Sequence, residues 1–179
     1  IGFGSGSICI LTARQIFVAN GIGGPRGLGV SKCGKELTCI PVVPSTTQRL
    51  VLSNNKISQL PADLKHLDGL TALDLSLNPL ATVSGSLCSL THLAILRLSE
   101  CKLSGLPAEF CRLQCLRELN VSKNSLRSLP HDIGHLSRLT VLDVRNNPLE
   151  QVPWSLAACP LRSLLVDAQP IQDQEQRAV

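Results

Sequence analysis

Tyrosine and methionine are absent from this 179-residue chain, and aromatic residues make up 2% of it, with one tryptophan and three phenylalanines. An interior built on packed rings is excluded, so the 44% of hydrophobic residues must build their core from leucine, isoleucine and valine. No stretch approaches the ~18 to 20 consecutive apolar residues that a membrane span requires. Lys and Arg number 17 against 13 Asp and Glu, a net charge of +4, and the basic residues are scattered without a block of like charge. A nucleic-acid footprint is therefore not expected. The glycines of GIGGPRGLG, residues 21–29, satisfy neither GxGxxG nor GxxxxGK[ST], and no CxxC pair or zinc spacing occurs among the eight cysteines.

What is present is a period of 23 residues. From Thr46 the text runs TTQRLVLSNNKISQLPADLKHLDG and returns as LTALDLSLNPL, LAILRLSECKL, LRELNVSKNSL, LTVLDVRNNPL and LRSLLVDAQPI, each copy reading LxxLxLxxNxL with small departures. Such self-similarity signals a stacked array, in which each unit buries its core against its neighbours. The copies resemble the leucine-rich repeat (LRR) family over roughly two thirds of the chain. That resemblance implies an α/β solenoid, with a curved parallel β-sheet on the concave face and short helical or 3-10 segments and loops on the convex face. The expected organisation is a flexible or loosely ordered leader (1–32), a cap-like segment (33–46), about six repeats with the last partial (47–171), and a polar tail (172–179).

Alternation at LxLxx predicts one short strand per copy with positions four and six inward: Leu50 and Leu52, Leu73 and Leu75, Leu96 and Leu98, Leu119 and Val121, Leu142 and Val144, Leu164 and Val166. The return legs LPADLKHL, LPAEFCRL and LPHDIGHL open on a proline and carry apolar residues three to four apart. Asn55, Asn78, Asn124 and Asn147 stand at position nine, where the strand turns away, and their amides are placed to pair with backbone groups of adjacent coils. Cys101 and Gln169 replace this asparagine in two copies, so the ladder is expected to weaken near Cys101.

Upstream, CGKELTCIPVVP from Cys33 resembles the N-terminal cap of extracellular LRR proteins, although Ile40-Pro41 and Val43-Pro44 stand one residue closer than that pattern and its upstream cysteine cluster is missing. The resemblance admits a Cys33–Cys39 bridge. In the leader, Ile8 to Leu11 and Gln15 to Ala19 are short apolar runs able to add a strand or a helical turn. A first residue of Ile leads to the expectation of a fragment or processed chain, and the polar tail is expected to leave the last apolar edge thinly covered.

Outward positions form a wall. Position three reads Arg49, Ala72, Ile95, Glu118, Val141 and Ser163, and position five reads Val51, Asp74, Arg97, Asn120, Asp143 and Leu165. Position seven reads Ser53, Ser76, Ser99, Ser122, Arg145 and Asp167. Opposite charges fall on neighbouring strands, as in Asp74 beside Arg97 and Glu100 beside Lys123, so one reading is a solvated, self-paired surface. The other is a protein-binding wall made of Arg49, Val51, Asp74, Ile95, Arg97, Glu118, Asn120, Val141, Asp143 and Arg145, in which Ile95 and Val141 flank Glu118. Parallel strands would hold these side chains at low ordering cost.

Catalysis lacks a constellation. His66 and His135 recur in distant copies, His92 and His131 fall on the return side, and no Ser-His-Asp set or close carboxylate pair emerges. No cofactor or metal is expected. Cys88 and Cys111, equivalent positions in adjacent copies, read as inert convex thiols with a disulfide as the alternative. Trp154 reads as a packing plug or a contact residue, and Asn120-Val121-Ser122 is a glycosylation sequon within a strand. Free thiols favour a reducing compartment. The 23-residue period with LPxxΦxxL is similar to the intracellular class that includes Ras suppressor, Erbin and Scribble, which implies a cytoplasmic, non-enzymatic signalling adaptor for a protein partner. The cap resemblance implies instead a recognition ectodomain of a secreted or cell-surface receptor. A third reading makes the array the substrate-choosing part of a larger enzyme.

Overall fold

The computed structural model describes residues 28–167. Seven strands pair in chain order as one open, wholly parallel sheet: β1 (Leu28–Ser31), β2 (Thr47–Val51), β3 (Ala72–Asp74), β4 (Ile95–Arg97), β5 (Glu118–Asn120), β6 (Val141–Asp143) and β7 (Ser163–Leu165). Register follows the period, because Leu50 pairs with Leu73, Leu73 with Leu96, Leu96 with Leu119 and Leu119 with Leu142. The final step is one residue shorter, Leu142 opposite Leu164.

The chain returns through 3-10 helices at Lys65–Leu67, Gly85–Ser89, Ala108–Arg112, His131–His135 and Trp154–Ala158, and no α-helix occurs among the described residues. The spacing of apolar side chains explains the choice. Leu64, Leu67 and Leu70, then Leu87, Leu90 and Leu93, then Phe110, Leu113 and Leu116, are buried three apart. That matches the three residues per turn of a 3-10 helix, which stacks them on one side. Pro107, Pro130 and Pro153 stand immediately before three of these legs.

Positions four and six are inward as expected through the fifth copy, from Leu50 at 0% exposure to Val144 at 2%. The sixth copy departs from that expectation. Leu164 and Val166 are 41% and 46% exposed, because no described element stacks beyond β7.

A strand at Leu28–Ser31 lies inside what the sequence marks as leader. Its Val30 is buried at 4%, and it pairs with β2 across a bulge between Leu28 and Gly29. Beyond it, the Lys32 N–H donates to Val51 O at 2.8 Å and the Gly34 N–H to Ser53 O at 3.1 Å. Leu37, Ile40 and Val43 then cover the open end of the core, so the cap-like segment acts as one more coil. The apolar runs at Ile8 to Leu11 and Gln15 to Ala19, Gln169 and the tail lie outside the described residues.

Position eight closes each strand in the left-handed region. Asn54, Leu77, Glu100, Lys123 and Asn146 have φ of 55°, 58°, 56°, 54° and 56°, and Gly34 takes the equivalent place at 63°. This turn swings position nine inward. The Asn124 amide donates to Leu98 O, Val121 O and Ser122 O at 2.8, 2.8 and 3.1 Å, and its oxygen accepts the N–H of Cys101 and Leu103, both at 2.9 Å. Asn55 repeats this pattern and ties the cap down through Lys32 O at 2.7 Å, while Asn78 and Asn147 make the same three donations and accept the N–H of Ile57 and Leu126, both at 3.0 Å. At Cys101 a thiol faces Leu75 O at 3.2 Å and Ser99 O at 3.5 Å, a weaker substitute for an amide. Burial pushes the Cys101 thiol up to about 11, so it stays protonated.

Candidate functional site

Strand pairing carries the outward residues into rows. Arg49, Ala72, Ile95, Glu118, Val141 and Ser163 are successive partners, as are Val51, Asp74, Arg97, Asn120, Asp143 and Leu165. All ten residues of the expected wall thus share one face, nine of them in these rows and Arg145 two residues past the end of β6, folded over Asp143. They differ in what they offer a partner. Arg49, Arg97 and Arg145 are exposed, whereas Val51, Asp74, Ile95, Glu118, Asn120 and Val141 are half-buried.

Asp143 is only 5% exposed and lies beneath Arg145, whose Nε and Nη2 donate to its two carboxylate oxygens at 3.0 and 2.8 Å. Hydrogen bonding from Arg145 holds its carboxyl below the usual 3.8. Asp143 therefore presents Arg145 instead of itself.

Charge pairing on the face is partly as expected. Lys123 meets Glu100 at 2.9 Å. Asp74 does not pair with Arg97: its carboxylate is short and accepts the Ser76 N–H at 2.9 Å, while the longer Glu118 reaches Arg97 at 2.8 Å. The Asn120 oxygen is likewise occupied by the Ser122 N–H and hydroxyl at 3.0 and 2.7 Å. Ile95 and Val141 remain on either side of the neutralised Arg97–Glu118 pair, an apolar surface whose charges are satisfied internally.

Cys33 is an exposed free thiol, so the Cys33–Cys39 bridge suggested by the cap resemblance is not formed. Cys88 and Cys111 are also unbridged. Burial, aided by Glu109, pushes the Cys88 thiol up to about 11. Trp154 is 88% exposed and plugs nothing. No helix among the described residues is long and apolar enough to cross a membrane.

A one-strand-per-coil parallel sheet, 3-10 return legs and an inward asparagine ladder define a short-coil solenoid that presents a flat rank of side chains. The chain is a leucine-rich repeat protein: residues 91–149 and 46–67 match two family models described as leucine rich repeat. No curated protein matches it. Similar solved structures include an LRR protein of Leptospira interrogans, 26% identical with a TM-score of 0.68 over 78% of this chain and 42% of that one. Internalin C2 of Listeria monocytogenes, 24% identical with a TM-score of 0.63, is covered over 62% of its length by 78% of this chain and shows the shared fold. TLR13, solved in complex with ssRNA13, is 29% identical with a TM-score of 0.62 over 68% of this chain and 18% of that one. The chain therefore spans about two fifths of the Leptospira protein and under a fifth of TLR13.

Proposed function

We propose that the chain is a non-enzymatic scaffold that binds a protein partner through the strand face, with Ile95, Arg97, Glu118 and Val141 at its centre. The supporting observation is that face itself. Half-buried Ile95 and Val141 sit on paired backbone, beside an ion pair that is already formed, so docking desolvates apolar area without stranding a charge. The free, exposed thiol of Cys33 favours a reducing compartment and an intracellular signalling role over a receptor ectodomain.

Affinity capture with the native chain beside an Ile95→Asp, Arg97→Glu variant tests this reading. The expected result is a partner held by the native chain and lost from the variant, with both melting cooperatively. Equal capture by the two would refute the assignment of the face. A quantitative thiol titration under denaturing, non-reducing conditions addresses the compartment, and a protected Cys33 would favour the ectodomain.

A further inference from the structure

The strand face nearly balances its charges, so the positive excess of the chain lies elsewhere. Part of it gathers on the leading edge of the sheet, where each return leg turns into its strand. Arg117, Arg138 and Arg162 are exposed there and form no ion pair or side-chain hydrogen bond with the described residues. Backbone rungs fix their spacing. The Arg162 N–H donates to Thr140 O at 2.8 Å and the Thr140 N–H to Arg117 O at 2.9 Å, with Arg138 two residues before Thr140. Arg117 and Arg162 thus stand two rungs apart, roughly 10 Å at ~4.8 Å per rung.

No uncommitted carboxylate stands at this edge among the described residues. The neighbouring places in the three coils hold Gln114, Cys115, Ser137, Thr140 and Pro160, and the nearest strand carboxylates, Glu118 and Asp143, are already engaged by Arg97 and Arg145. Beside Arg117 and Arg138 opens a shallow depression of about 420 Å³, lined also by His92 and Thr140, by Ile95 and Val141 of the strand face, and by Glu118, whose carboxylate is held by Arg97. Guanidinium groups in search of carboxylates therefore border an apolar floor.

We infer that this edge docks an extended acidic segment of a protein partner, its carboxylates on Arg117, Arg138 and Arg162 and an apolar side chain in the depression. Guanidinium forks suit carboxylates bidentately, and an extended chain places alternate side chains about 7 Å apart, between the one-rung and two-rung steps of the edge and within reach of long arginine side chains. A single strand of nucleic acid fits less well, because His92 is the one ring lining the depression and no Phe, Tyr or Trp there forms a platform for successive bases. This inference draws on the strand-face reading only for Ile95 and Val141.

Fluorescence anisotropy with a short fluorescein-labelled peptide of alternating glutamate and leucine tests it. The native chain is expected to bind at low salt and to weaken as salt rises. Arg117→Glu with Arg138→Glu is expected to weaken binding at least about tenfold, while Lys35→Glu with Lys102→Glu, the same charge change away from this edge, leaves it unaltered. Circular dichroism melts establish that both variants fold. Failure of the native chain to bind would overturn the inference, as would equal loss in the two variants. Binding of a single-stranded oligonucleotide or an anionic phosphatidylserine vesicle as tightly as the peptide would overturn it too. Loss with the arginine pair upholds the edge even where Ile95→Asp leaves partner capture intact, so the two readings fail separately.

Discussion

Arg97 reaches forward to Glu118, its Nε and Nη2 both donating to one carboxylate oxygen at 3.0 and 2.8 Å. The two side chains are 47% and 31% exposed, so solvent screens the pair and its contribution to stability is about 0.2 to 1 kcal/mol. Arg97→Ala should lower the unfolding free energy by less than about 1 kcal/mol in urea titrations. A larger loss would mean that the β4–β5 junction depends on this pair for folding.

The asparagine ladder should matter far more. Asn124→Ala removes three donated and two accepted bonds from buried backbone, and the expected cost is roughly 3 kcal/mol or more. Cys101→Asn should act in the opposite direction, gaining about 1 kcal/mol by restoring an amide opposite Leu75 O and Ser99 O. Paired chemical denaturation curves check both signs, and a destabilised Cys101→Asn would show that the site is shaped for sulfur.

Leu77 is 47% exposed with φ of 58°, a conformation that costs an ordinary L-residue roughly 1–2 kcal/mol. Asparagine occupies the same place at Asn54 and Asn146 and tolerates this region. Leu77→Asn is therefore expected to stabilise the fold by about 0.5 to 1 kcal/mol. An unchanged melting temperature would argue that Leu77 packing offsets the backbone cost.

Asp143 gives the fold an acid-sensitive share of its stability. Its carboxyl is held below 3.8, first by the Arg145 side chain, so the charged form is favoured in the folded state. That contribution is complete above the usual carboxylate range and disappears as pH falls through the lowered value. Asp143→Asn should melt earlier than the native chain near neutral pH, with the gap closing in acid. A gap independent of pH would point to packing instead of charge.

Much of the fold was legible because a fixed period dictates register. Once Leu50 and Leu73 occupy equivalent places, Ile95, Glu118 and Val141 must fall in one row. Less visible was anything set by side-chain reach or backbone handedness. Asp74 and Glu118 are equally acidic in the text, yet only the longer one meets Arg97. Leu77, Glu100 and Lys123 give no residue-type signal for the left-handed turn they adopt. The strand at Leu28–Ser31 was hidden by glycines and by its lack of the repeat, and the leading-edge arginines are scattered along the chain until the coils bring them side by side.

In a solenoid each coil touches only its neighbours, so stability resembles a row of couplings and not one pooled quantity. Cys101 marks a weaker coupling than Asn55, Asn78, Asn124 or Asn147 in that row. Under heat or pulling force the molecule should part there, as a log splits along its grain. One half-molecule would keep the cap through Asn55 and Asn78, and the other would keep the arginine edge through Asn124 and Asn147.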